Sequence, residues 1–385
     1  MKIFNMTLFG WPYLPEDAPV GIPGSYPVSN VYFDPVRGNA LLQADLDRIA
    51  LSDELGLDGF TCQEHHGAGG FCAFVPSTHL MAAAVSQRTK RLQVAVTGSC
   101  IPLHHPLAVA EEVSMLDHLT GGRFIWGALR GFVSEYLSYN VNPAESQERF
   151  REGFTLILKA LASEGPFDFD GKYYRVRNYN IWPKPLQKPY PKIWMAANSH
   201  DTLDFAVKHR TYVATPFVGV GRSRESYEVY QQLAQEQDIS VPEDFDDMFA
   251  SVCVIYVGES DKKAHQEADA AVDYHFVRGA GSFDLDTASL VPGHMTVRGM
   301  RQWLKNITSQ ETGKGMRYTV DESIENGTVI LGSPESVVAQ IKRQREEGKR
   351  GTLLAMFQFG NLAGELATQN LRLFASEVLP KIRTV

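Results

Sequence analysis

Apolar runs and helical stripes alternate along the whole chain. Short β-rich runs occupy Ile3–Phe9, Gly59–Cys62, Leu92–Gly98, Phe124–Leu129, Ile193–Ala197, Tyr212–Phe217, Ser251–Val257 and Thr352–Phe357. Most are apolar along their length rather than at alternate positions, which suits parallel strands covered by helices. Between them the period becomes helical. Leu107, Ala110, Val113, Leu116 and Leu119 recur through Pro106–Leu119, and Phe150, Phe154, Ile157 and Leu161 form a stripe through Glu145–Ala162. Pro106 suits a first turn, where its missing N–H is not needed, and Gly121-Gly122 stops the helix. Ser333-Pro334-Glu335 opens another helix, and a last one is predicted roughly from Leu366 to Leu379. Eight β/α units over 385 residues predict one (β/α)8 TIM barrel with insertions, spanning residues 1–385. A doubly wound sheet is the alternative, but no GxGxxG follows the first strand.

Three stretches read as insertions: Gly10–Gly38, rich in Pro, Gly and aromatics; Phe167–Pro191; and Gly279–Asn326. The second contains FDFDGKYYRV, a small hairpin turning at Asp170-Gly171. In the third, only the part around Val297–Ile307 is plainly helical. Long loops on a compact barrel read as lids or disordered segments.

Charge narrows the function classes. The 37 basic residues face 45 acidic ones, net −8, without a Lys/Arg cluster. That argues against nucleic acid and anionic membranes as partners. Cys62, Cys72, Cys100 and Cys253 form no CxxC pair, so reduced thiols are expected. The first residues lack a signal-peptide layout, and no apolar run approaches the roughly 20 residues of a membrane span. A cytoplasmic protein is the expectation.

In such a barrel, chemistry sits at the carboxyl ends of the strands. The second strand is followed by Glu64-His65-His66, the third by Thr97-Gly98, and the fourth ends at Leu129-Arg130. The fifth leads into Ala197-Asn198-Ser199-His200-Asp201-Thr202, and the sixth ends near Phe217. Ser199 is a candidate N-cap with Thr202 in the first turn. Free N–H groups there attract an anion such as phosphate, and Arg130 adds a charged fork. Ordinary capping is the plainer alternative. Glu64-His65-His66 has three readings. Metal binding lacks HxH or HExxH spacing. A buried structural pair and an acid/base histidine both stay open. His104-His105-Pro106 is a second tempting pair before a helix, in which His105 reads as a capping or packing residue rather than a catalyst. Trp126, Trp194 and Phe217 read as core or as the wall of a planar ligand site.

These residues resemble a known family. LQVAVTGSCIPLHHPLAVAEEVSMLDHLTGGRFIWGALRG, residues Leu92–Gly131, resembles the third and fourth β/α units of bacterial luciferase-like flavin-dependent monooxygenases. GLDGFTCQEHHGAGG is similar to the family's second strand and EHH motif, and KIWMAANSHDT to its fifth strand and phosphate loop. GSPESVVAQI and LFASEVLP resemble its closing helices.

The resemblance implies reduced FMN supplied by a separate flavin reductase, O2, a small organic substrate and a homodimer. The dimer would form through helices near Ser77–Arg88 and Pro106–Leu119. It places catalysis on His65 with Glu64, and cofactor contacts at Thr97, Gly98, Leu129, Arg130, Ala197, Asn198, Ser199, Thr202 and Phe217. The family often has an unusual peptide bond at the Thr97-Gly98 position. There are departures. Asn198 stands where luciferase has an acid, Gln147 where many relatives carry Arg, and Leu129 where luciferase has a reactive Cys. Arg149 is a possible substitute for the missing Arg. Aldehyde oxidation with light emission is therefore not implied. Three rival readings remain. One is a deazaflavin-dependent oxidoreductase, one a flavin-binding protein without turnover, and one a metal-dependent barrel hydrolase.

Overall fold

The computed structural model describes residues 1–18, 28–67, 74–197, 199–279 and 318–383, with Gly293 and Arg301. Eight parallel strands form a closed barrel: β1 (Lys2–Met6), β2 (Gly59–Cys62), β3 (Gln93–Val96), β4 (Phe124–Leu129), β5 (Lys192–Ala196), β6 (Tyr212–Thr215), β7 (Ala250–Val257) and β8 (Thr352–Met356). β8 pairs back onto β1, with Leu354 opposite Phe4, which closes the ring. All eight predicted runs are these strands. Several runs overshoot at their carboxyl ends. Thr7–Phe9, Thr97-Gly98 and Pro216-Phe217 are apolar enough to read as strand, but they leave the ladder and build the rim.

Register separates inside from outside, because paired residues of parallel neighbours point the same way. Phe4 meets Trp194 across the barrel, ring centroids 5.1 Å apart at 71°. Asn5 points out, and its Nδ2 donates to Ser52 Oγ (2.8 Å) on the helix Pro35–Glu54. Met6, Thr61, Ala95 and Ile125 share the inner side with Phe4, as Gly127 does with Trp194. Trp194 closes the floor, donating to Met248 O at 2.8 Å. Trp126 faces out, stacked on Phe154 (5.7 Å) and donating to Ser99 Oγ (3.1 Å). Both tryptophans are therefore core. Truncating one would cost roughly 3–5 kcal/mol.

The predicted helices are present with their signals. Pro106–Leu119 begins at Pro106 with His105 as N-cap, its Nδ1 accepting from Leu107 N (3.3 Å). The predicted stripe drifts: Val113 and Leu116 are buried, yet Leu119 is 45% exposed. A three-residue spacing lags a 3.6-residue turn, so the row winds off the buried face. Ser333 caps Pro334–Glu346. The last helical stretch begins at Gly364 and passes through a π-helical segment, Phe374–Val378, to Leu379–Ile382.

Two readings change. Pro35 already starts a helix capped by Asp34, so the last residues of Gly10–Gly38 belong to Pro35–Glu54. Val329–Gly332 is a further parallel strand, paired with the outer half of β7 beyond the reach of β6. The hairpin is Phe167–Asp170 with Arg175–Tyr179. The segment around Val297–Ile307 and Cys72 lie outside the described residues, Arg301 excepted. Among the described residues, no helix is long and apolar enough to cross a membrane.

Candidate active site

The rim beyond β2, β3 and β4 carries a buried cluster of carboxylates and imidazoles. Glu64 and His65 are each 4% exposed, although both follow a strand end. Glu64 turns back on its neighbours. Its Oε1 lies 2.7 Å from His104 Nε2 and 3.0 Å from His66 Nε2, and Oε2 accepts from Cys100 N at 3.1 Å. Burial pushes the Glu64 carboxyl up. The hydrogen bonds from His104 and His66 outweigh it and hold it at about 2. Burial pulls His104 down, but its bond to Glu64 raises it above the ordinary histidine value overall.

The second carboxylate, Glu135, comes from the short helix Val133–Ser138 after β4 and is fully buried. Its Oε1 is 3.0 Å from His65 Nδ1 and accepts from His66 N at 3.1 Å; Oε2 accepts from Phe132 N at 2.8 Å. The Phe132 ring lies over His65, centroids 5.2 Å apart. His66 has both ring nitrogens engaged, Nε2 by Glu64 and Nδ1 by Tyr139 OH at 2.9 Å.

Thr97 stands beside this cluster, its Oγ1 3.1 Å from Thr61 Oγ1. The Thr97-Gly98 peptide is cis, at the position where the sequence led us to expect an unusual bond. Gly98 packs against the β4 backbone so closely that a Cβ there would lie 2.2 Å from Gly127 C. Leu129 and Arg130 leave β4 level with Ala196 and Ala197, since Ala128 pairs with Met195. The Arg130 carbonyl is fixed by Tyr136 OH at 2.5 Å. Ser199 caps the helix His200–Lys208 as predicted: its Oγ accepts from Thr202 N (3.3 Å) and lies 2.9 Å from Thr202 Oγ1.

The structure thus gathers Glu64, His65, Thr97, Gly98, Leu129 and Arg130 on consecutive strand ends, with Ala197, Ser199 and Thr202 on the next. Asn198 lies outside the described residues. Phe217, at φ 40°, packs on His275 (5.7 Å) and Phe276 (5.9 Å). Arg149 bonds Glu145 Oε2 at 2.9 Å and lies over the Tyr173 ring at 4.5 Å, so it is engaged on its own helix and the hairpin. Glu135 and Tyr139 were missed, and His104 was noted only as one of a pair with His105. Glu135 falls three residues after Phe132 at a helix start, where a carboxylate reads as a simple cap.

Residues 34–350 match the model of the luciferase-like monooxygenases. The chain belongs to that family. It is 26% identical over 355 residues to limonene 1,2-monooxygenase of Rhodococcus erythropolis, covering 89% of this chain and 82% of that one. Its fold is similar to the oxygenating constituent of 3,6-diketocamphane monooxygenase of Pseudomonas putida, a type II Baeyer-Villiger monooxygenase solved with FMN. There the TM-score is 0.71 at 20% identity, covering 99% and 98% of the two chains. An F420-dependent secondary alcohol dehydrogenase shares the fold at TM-score 0.62 and 16% identity, covering 88% and 94%.

Proposed function

We propose that this chain is a reduced-FMN-dependent monooxygenase that inserts one atom of O2 into a small organic substrate. Family membership supports that reaction class. The observation that carries the site is the separation of the two adjacent histidines: His66 is tied through both ring nitrogens, whereas Glu135 holds His65 through Nδ1. We assign to His65 the proton transfer at the reacting centre, through Nε2. Glu64 positions rather than titrates, because its oxygens serve His66, His104 and Cys100 N.

The donor set fits a flavin phosphate. Arg130, the Ser199 and Thr202 hydroxyls and the first N–H groups of His200–Lys208 complement a dianion. Asp201 shares that turn, so Arg130 supplies the positive charge the site needs. Thr97, Gly98, Leu129, Ala197, Asn198 and Phe217 complete the proposed cofactor contacts. Bound reduced FMN supplies the electrons that activate O2; one oxygen enters the substrate and the other leaves as water. The chain's part would be to hold the flavin through Thr97, Gly98 and Leu129, exclude water and present His65. A separate flavin reductase supplies the reduced cofactor. Leu80, Met115 and Leu119, which are 74%, 52% and 45% exposed, support a homodimer through Thr78–Arg88 and Pro106–Leu119.

Purified protein incubated with reduced FMN or a reduced deazaflavin, with and without O2, tests the reading. Oxygen consumption and an 18O-labelled product from a monoterpene or alkanal panel are expected with FMN. Oxygen-independent turnover with the deazaflavin alone would replace the monooxygenase by a dehydrogenase. His65→Ala with near-normal oxygenation would remove its catalytic role.

A further inference from the structure

Glu135 receives more protein donors than a helix cap needs. Phe132 N donates to Oε2 at 2.8 Å and His66 N to Oε1 at 3.1 Å. Backbone N–H groups cannot exchange donor and acceptor roles, so both carboxylate oxygens are held as acceptors. His65 Nδ1 approaches Oε1, which is already accepting, at 3.0 Å. The ring nitrogen is therefore the donor, and the remaining lone pair of the neutral ring lies on Nε2.

We propose that Glu135 is the positioning residue of this site: it locks His65 as the Nδ1–H tautomer and so makes Nε2 the atom that accepts a proton. The proposal rests on the reading of His65 as the proton-handling group, but the tautomer belongs to the chain alone and needs no cofactor to be seen. The same helix holds the other side of the rim. Tyr136, next to Glu135, donates to Arg130 O at 2.5 Å and to Gly131 O at 3.0 Å. One turn of helix thereby sets the imidazole and the guanidinium-bearing strand end together. Room for a larger carboxylate shift is small, since a Cβ on Gly131 would lie 3.2 Å from Glu135 Oε2.

Glutamine at this position cannot reproduce the pattern. Its single oxygen serves either Phe132 N or the His65–His66 side. With the oxygen on Phe132, the amide NH2 faces His65 Nδ1 and selects the opposite tautomer. Removal of a carboxylate that orients a catalytic imidazole is costly through this route, up to roughly 10⁴-fold in a serine-protease triad.

The test uses the full chain labelled with 15N-histidine, with His65 assigned by its absence in His65→Gln. Long-range 1H–15N correlation between about pH 6 and 9 reads which ring nitrogen carries the proton in the neutral form. The expected wild-type result is Nδ1–H with an unprotonated Nε2. In Glu135→Gln the neutral ring is expected to shift toward Nε2–H, with kcat down roughly 10- to 1000-fold and KM within about threefold. A wild-type Nε2–H ring overturns the proposal, as does an unchanged tautomer in a folded Glu135→Gln. If that variant fails to fold, the wild-type spectrum alone decides. A Nδ1–H ring combined with full activity of His65→Gln would leave this inference standing and remove the proposed function of His65.

Discussion

His104 Nε2 and Glu64 Oε1 lie 2.7 Å apart, joining the loop after β3 to the loop after β2. The Glu64 carboxyl is held at about 2 against an ordinary 4.5: burial raises it, and His104 and His66 lower it further. Its folded value is depressed, so its contribution is fully present above pH 4.5 and is lost as pH falls toward 2. The shift corresponds to about 3 kcal/mol at most. His104 is raised, so its share is present below its ordinary value and fades as pH climbs through the folded one. Chemical denaturation of wild type and Glu64→Gln checks this. The stability gap should be widest between about pH 5 and 6 and shrink as pH falls from about 4.5 toward 2, because Glu64 protonates first in the unfolded chain. A gap that stays constant down to about pH 2.5 would remove the ion pair from the stability of this rim.

Gly127 supports the floor of the same rim. A Cβ on it would lie 2.1 Å from Val96 O and 2.8 Å from Thr97 Cα, both backbone atoms of the neighbouring strand and its exit. Neither can turn aside as a side chain would. Gly127→Ala is expected to cost at least about 2 kcal/mol, toward the upper end of ordinary overpacking. A urea-unfolding free energy within about 0.5 kcal/mol of wild type would show that β3 and β4 can spread there.

The barrel was legible because continuous apolar runs alternate with helical stripes, and His105-Pro106 and Ser333-Pro334 punctuate the helices by local chemistry, whereas the Asp34-Pro35 start was read as part of an insertion. Local signals also marked Ser199, whose capping needs only three residues of chain. The partnerships of Glu135 and His104 were not legible for the converse reason. Glu135 lies 70 residues beyond His65, and His104 lies 40 beyond Glu64. Their roles exist only once adjacent strands bring distant loops together. Glu64-His65-His66 was visible as a motif, but its pairing of His66 with Tyr139 and of His65 with Glu135 was not.

Arg130 should discriminate the phosphate from the rest of a flavin. Charged hydrogen bonds contribute about 1.5–3 kcal/mol, so Arg130→Met is expected to weaken FMN binding roughly 10- to 100-fold while riboflavin binding changes little. Ser199→Ala should act in the same direction by less, since a cap contributes about 1 kcal/mol and water can serve a helix start without it. Flavin fluorescence titration measures both. Equal losses for FMN and riboflavin would move the phosphate away from this strand end.

The exposed apolar face offers the last test. Leu80 at 74%, Met115 at 52% and Leu119 at 45% exposure lie on Thr78–Arg88 and Pro106–Leu119, two helices that pack side by side. Exposed singly, such residues are ordinary; grouped on adjacent helices, they favour burial against a like surface. A C2 pair would bring each face onto its copy, and Glu substitutions at Leu80 and Met115 would then set like charges in the contact. Light scattering at about 10 μM should give a dimer for wild type and a monomer for the double variant. Neither position belongs to the proposed site, so the monomer should retain FMN binding. A monomeric wild type across about 1–100 μM would leave this face without a self-association role.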